Sequence, residues 1–184
     1  MKIAVIQMNS VSDVAANIAK ASGLIERCVD LEGPDWVCLP EHWNWAGGST
    51  KDKVANGDTV PGGPAYAAAQ ALAARHKIWV HSGSVLERAR VELDLTNNSA
   101  RGGRLPAGES SRASQKVHNT TVVFDRSGRE VAVYRKIHLF DIDLPGMEHL
   151  KESKAVILEA GRKGSVKSPS VQHLIESASN SDIG

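Results

Sequence analysis

Cysteine is scarce in this sequence: the 184 residues contain two, Cys28 and Cys38. Two cysteines make no disulfide framework and point to a reducing compartment. Charge of one sign is lacking as well. Lys and Arg number 22 against 21 Asp and Glu, a net charge of +1. That balance excludes the basic footprint of a nucleic-acid binder and offers nothing to an anionic membrane. No apolar run approaches the ~20 residues of a membrane span. The opening MKIAVIQMNS is broken by Gln7 and Asn9 and is too short for a signal peptide. A cytoplasmic location is expected, with a mitochondrial one left open. Aromatic residues make up 4% of the chain, and four of them are Trp, two of these nearly adjacent at Trp43 and Trp45. Gly62-Gly63 reads as a turn before a helix, with neither a phosphate-loop lysine nor a dinucleotide fingerprint around it.

What is present is a core. Hydrophobic residues reach 41%, enough for one α/β domain. Ile3–Met8, Trp36–Pro40 and Ile78–Gly83 are short apolar runs of strand length. Between the first two, Val14, Ile18, Ala21, Ile25 and Cys28 recur at helical spacing. Ser12 or Asp13 can cap that helix, and Gly33-Pro34 stops the chain soon after it. Pro64 to His76 reads as a second helix with proline in its first turn, burying Tyr66, Ala69, Leu72 and Ala73. Strand–helix–strand–helix–strand implies a parallel sheet with right-handed crossovers.

The pattern then changes. Residues 88–116 lack either period and read as a long surface insertion. Asn119–Asp125 and Glu130–Arg135 flank Arg126-Ser127-Gly128, a hairpin with Gly128 suited to a positive φ. Residues 161–184 are serine-rich and aperiodic, and read as a disordered tail after a domain spanning 1–160.

Functional residues of open α/β sheets gather beyond the carboxyl ends of the strands. Glu41 follows the strand WVCLP and Lys136 follows EVAVYR. With the fourth strand antiparallel to the third and the fifth reversed again, both emerge at the same sheet edge. A solvated or capping role is the plain alternative for each. Trp43 and Trp45 suit either a pocket wall or the packing of their own loop. His138, Asp141 and Asp143 offer a weak metal-site spacing, short of the three or four convergent ligands that such sites need. Asn97-Asn98-Ser99 and Asn119-Thr120-Thr121 fit the glycosylation pattern but lack a secretory context.

The strings MKIAVIQMN, DWVCLPEHW and HNTTVVFDRSGREVAVYRKIHLFDIDLPG resemble the nitrilase superfamily of carbon–nitrogen hydrolases. YRKIHLFDIDLPG is most similar to the omega-amidase branch, which hydrolyses small dicarboxylate monoamides. The resemblance covers residues 1–86 and 117–160. It implies an α-β-β-α sandwich of which the N-terminal part is represented here, and a Glu-Lys-Cys site without metal or organic cofactor. Glu41 matches the general base and acid of that site. Lys136 matches the lysine that stabilises an oxyanion. Glu152, in KES, matches a second glutamate beside the nucleophile. The implied partner is a small amide substrate, with a homo-oligomer as a further expectation.

The cysteine of that trio is missing. The resemblance places it after a later strand, before Tyr-Asp, but the sequence there reads GRKGSVKSPSVQHLIESASNS, with Ser177 near the expected distance by coincidence. Strand alternation turns Cys38 away from Glu41 and makes it an inert core thiol, and Cys28 lies on an apolar helix face. The chain is therefore expected to be catalytically incompetent. A partner-binding pseudoenzyme and an incomplete gene product are the alternatives. An apolar sheet face is expected to lie open, favouring self-association.

Overall fold

A computed structural model describes residues 1–89, 116–141 and 151–156. Most of the 88–116 insertion, the 161–184 tail, Asn97, Asp143 and Ser177 lie outside the described residues. Six strands form one sheet: β1 (Ile3–Val5), β2 (Trp36–Cys38), β3 (Trp79–His81), β4 (Val85–Arg88), β5 (Val117–Phe124) and β6 (Glu130–Arg135). Helix α1 (Val14–Glu32) joins β1 to β2. Helices α2 (Thr50–Ala55) and α3 (Pro64–His76) lie between β2 and β3.

Local chemistry explains the helix limits. The Asp13 carboxylate accepts the Ala16 N–H at the start of α1, and Gly33 ends it at φ 54°. The helix runs to Glu32, past the expected end at Cys28, because nothing before Gly33 breaks it. Helix α3 has its expected limits and buries Tyr66, Ala69, Leu72 and Ala73. Helix α2 was not anticipated. Ser49 and Asp52 form its reciprocal capping box.

β1, β2 and β3 pair in parallel, as expected for crossover connections. β5 then runs antiparallel to β3, and β6 antiparallel to β5. β4 is not among the expected strands, and the insertion expected from residue 88 begins only at its last residue. β3 and β4 lie end to end along one edge of β5, with a one-residue register shift between them (His81 opposite Val123, Val85 opposite Thr120). This is a bulge in an otherwise continuous ladder. It falls at residues 82–84 and includes Gly83 at φ 54°.

The main core lies between the sheet and the two long helices: Ala21 and Ile25 from α1, Ala69 and Leu72 from α3, Val37, Val80 and Phe124 from the strands. The opposite sheet face is also apolar. Trp36 and Trp79 stack there at 5.3 Å beside Val123 and Ala132. Ile3 and Val5, at 54% and 79% exposed, continue that face to the outer strand β1. Among the described residues, no helix is long and apolar enough to cross a membrane.

Candidate active site

Glu41 sits on a tightly held loop. Beyond β2, Leu39 N–H donates to His81 O and Pro40 O accepts from Ser84 N–H. The chain then turns at His42, whose φ is 52°. This close approach requires glycine at position 83. A Cβ there would stand 2.0 Å from Pro40 O and 2.3 Å from Leu39 O. The Ser84 hydroxyl accepts the His42 N–H at 3.0 Å. Asn44, fully buried, accepts the Leu86 N–H at 3.1 Å and offers its carbonyl to Asn17 at 3.0 Å.

Lys136 and Glu152 arrive from two other directions. Lys136 immediately follows β6, and its N–H donates to Asn119 O at 2.8 Å. Glu152 opens a 3-10 turn, Glu152–Lys154. That turn is tied back by Glu152 N–H to Phe140 O, by Phe140 N–H to Glu152 Oε2 at 2.7 Å, and by Ser153 N–H to Asp141 Oδ1 at 2.9 Å.

The three side chains meet. Lys136 Nζ lies 3.1 Å from Glu41 Oε1 and 3.0 Å from Glu152 Oε2. A fourth residue, Asn119, completes the group: its Nδ2 donates to Glu41 Oε1 at 2.8 Å and to Glu152 Oε1 at 2.9 Å. Two donors thus each bridge two like-charged acceptors. Sequence reasoning placed Asn119 only in a strand and a glycosylation pattern. The available signal was a polar residue at the start of the expected strand Asn119–Asp125, at the same sheet edge as Lys136; β5 itself begins two residues earlier, at Val117. With Asn119 3% exposed and its amide engaged twice, the pattern does not mark a glycan acceptor.

The electrostatics follow from these contacts. Burial pushes the Glu41 carboxyl up, but the hydrogen bonds from Asn119 and Lys136 and the lysine charge hold it below its ordinary value. Glu152 is lowered in the same way, with burial opposed by Asn119, the Phe140 N–H and Lys136. Burial acts against the Lys136 ammonium, yet the two glutamates keep its pKa raised. At neutral pH the group is two carboxylates and one ammonium. An ammonium carries three N–H donors. Two serve the glutamates, which leaves one for an incoming oxygen.

His42, not singled out from sequence, is also close: one ligand atom from each of Glu41, His42 and Glu152 lies within 4.8 Å of the others. Lys136 Nζ is hydrogen-bonded to both of those carboxylates and compensates their charge. Burial lowers the His42 pKa, against the raising pull of the glutamates. The metal-site spacing finds no convergence among the described residues. His138 is exposed, and Asp141 is spent on the Ser153 N–H.

Trp43 and Trp45 do not wall a pocket. The turn at His42 folds them inward, leaving them 1% and 7% exposed in two separate apolar clusters. Cys28 packs against the main core as expected. Cys38 does not. It is half-buried on the sheet face opposite the helices, in register with Val5 and His81. Strand alternation puts Val37 in the core and Cys38 opposite. Burial raises its thiol pKa, and His81 gives it no base: His81 Nδ1 accepts the Gly83 N–H, so the ring proton belongs on Nε2.

The fold has counterparts in known proteins. The chain belongs to the carbon-nitrogen hydrolase family, which it matches over residues 2–171. It is 32% identical over 157 residues to a chloroplastic omega-amidase of Arabidopsis thaliana, covering 84% of this chain and 36% of that protein. It is 30% identical over 155 residues to the omega-amidase NIT2 of Bos taurus, covering 84% and 46%. In structure it resembles Saccharomyces cerevisiae Nit3, a member of branch 10 of the nitrilase superfamily. The TM-score is 0.61 at 23% identity, over 86% of this chain and 48% of that one. The chain thus spans less than half the length of each of these relatives.

Proposed function

We propose that this chain carries the acid–base and oxyanion part of an amide-hydrolysing site of the omega-amidase kind, with small dicarboxylate monoamides as the substrate class. The observation that supports it is the convergence of Glu41, Lys136 and Glu152 from three distant parts of the chain, with Lys136 within 3.1 Å of both carboxylates. Its substrate class is drawn from the omega-amidase relatives.

Each residue has a role fitted to its chemistry. Glu41, ionised at neutral pH, takes a proton from an attacking thiol, returns it to the departing ammonia, and then activates water. The remaining N–H of Lys136 meets the oxygen of the tetrahedral intermediate. Glu152 orients Lys136. The thiol itself is not supplied within these 184 residues: Cys28 is packed in the core and Cys38 lies on the sheet face opposite the helices without a base. The 184-residue chain is therefore catalytically incompetent by itself, because loss of a nucleophile removes several orders of magnitude of rate.

Ammonia release from succinamate by the purified chain tests this. No release above background is expected. Turnover that disappears in Glu41→Gln would overturn the claim of incompetence while supporting the assignment of Glu41.

A further inference from the structure

Behind the site, on the helix-facing side of the sheet, lies an ion pair that the proposed chemistry does not use. Glu87 of β4 is 2% exposed. Its Oε2 accepts from Thr120 Oγ1 at 2.6 Å and from Arg135 Nε at 2.6 Å, and its Oε1 accepts from an Arg135 guanidinium nitrogen at 2.6 Å. The three residues belong to three adjacent strands, β4, β5 and β6, and Thr120 and Arg135 are direct cross-strand partners.

Their chain neighbours give the pair its significance. Thr120 follows Asn119, and Arg135 precedes Lys136. Successive strand residues face opposite sides. Fixing Thr120 and Arg135 on the helix side therefore fixes Asn119 and Lys136 on the site side. Apolar patterning does this poorly here. β6 reads EVAVYR, with Val131, Ala132, Val133 and Tyr134 apolar on both faces, and β5 carries Val122-Val123. A strand apolar on both faces specifies its register weakly, and a one-residue slip reverses every side chain. The β5–β6 ladder already contains a register shift between Val123 and Phe124. A slip at Arg135 would leave the Glu87 carboxylate buried and unpaired, which is strongly destabilising.

We propose that Glu87 is a positioning residue: through Arg135 and Thr120 it locks β4, β5 and β6 in the register that keeps Asn119 and Lys136 against Glu41 and Glu152. This rests on the reading of Lys136 as the lysine of the site, but its test needs no turnover, so an inactive chain leaves it decidable.

Two variants are compared with the unaltered 184-residue chain. Glu87→Gln keeps the shape and removes the charge. Glu87→Leu combined with Arg135→Leu removes the pair without stranding either partner. Amide hydrogen exchange is read strand by strand, and the Lys136 ammonium is titrated by NMR. In Glu87→Gln, β5 and β6 amides are expected to exchange at least about tenfold faster while β1–β3 amides hold their rates, since a factor of ten corresponds to the loss of about one charge-assisted hydrogen bond. In the double variant the fold persists, and the Lys136 titration moves back toward that of an ordinary lysine. Uniform acceleration over all strands, or a Lys136 titration unchanged in the double variant, overturns the proposal. If the double variant does not fold, the exchange pattern of Glu87→Gln decides alone.

Discussion

Lys136 Nζ stands 3.1 Å from Glu41 Oε1 although 95 positions separate the two residues in sequence. The contact couples stability to pH at both ends of the scale. Glu41 and Glu152 have lowered pKa values in the folded chain, so their contribution is complete above the ordinary glutamate value of about 4.3 and is lost as pH falls through the lowered values. Lys136 has a raised pKa, so its contribution is complete below about 10.4 and is lost as pH rises through the raised value. A plateau at neutral pH with a fall on either side is expected. Glu41 is 59% exposed, so solvent screening holds its pair with Lys136 to about 0.5–1 kcal/mol. Lys136→Met also removes the partner of Glu152, whose side chain is 10% exposed, so it should lower the plateau by more than that amount and make both limbs shallower, as read by urea denaturation from pH 3 to pH 11. A difference from the unaltered chain that is constant across pH would contradict the coupling.

Asn119 makes the opposite kind of contribution, holding two like charges together without adding one. Its replacement by alanine leaves both carboxylates short of a donor at a position only 3% exposed, with an expected cost of about 1–3 kcal/mol. Asn119→Asp is worse at pH 7, because it sets a third carboxylate against the first two. The deficit of the aspartate variant should shrink on acidification as one of its three carboxyls takes up a proton, and by more than that of the alanine variant, which adds no charge. Parallel denaturation curves at pH 7 and pH 4.5 separate the two behaviours.

The sheet order β1-β2-β3 and the two long helices were legible because they rest on local signals: apolar runs, helical spacing, a capping Asp13 and a stopping Gly33. The meeting of Glu41 with Lys136 was legible as a shared sheet edge. Asn119 was not, because its importance comes from what stands across the strands rather than beside it in sequence. β4 escaped for a related reason. Val85–Arg88 is too short to show a period, and its partner β5 begins at Val117. Trp43 and Trp45 suit a pocket wall or loop packing equally from sequence, and the turn at His42, which sends both indoles inward, decides for packing.

Gly83 offers a sharper structural test than any side chain of the site. Its φ of 54° and the 2.0 Å approach of Pro40 O to a would-be Cβ leave no room for alanine. Gly83→Ala must push the bulge away from the Glu41 loop, and a cost of about 2–4 kcal/mol is expected from strain and backbone overlap. The displacement should appear as perturbed NMR signals at His42 and Ser84, whose mutual hydrogen bond bridges the two segments, with the Gly128 turn undisturbed. Ordinary stability in Gly83→Ala would mean that the two backbones are not in close contact.

The exposed apolar end of the sheet at β1 makes the last prediction. Ile3 and Val5 stand 54% and 79% exposed on β1, which pairs with β2 on one side and shows no strand on the other among the described residues. Half-buried Trp36 adjoins them on β2, whereas Trp79 and Val123 further across the sheet are buried. An exposed apolar patch on β1, next to an edge that no described strand pairs, favours association of copies of the 184-residue chain, because burying either patch or edge removes apolar area or unpaired backbone groups from water. Val5→Lys places a charge on both features at once. Sedimentation velocity over a hundredfold range of concentration should show the unaltered chain associating and Val5→Lys shifted toward monomer. Because Val5 is so exposed, its replacement should leave folding stability within about 0.5 kcal/mol, so a change in association can be read without a confounding loss of fold. A chain that stays monomeric at every concentration would show that this patch does not drive self-association.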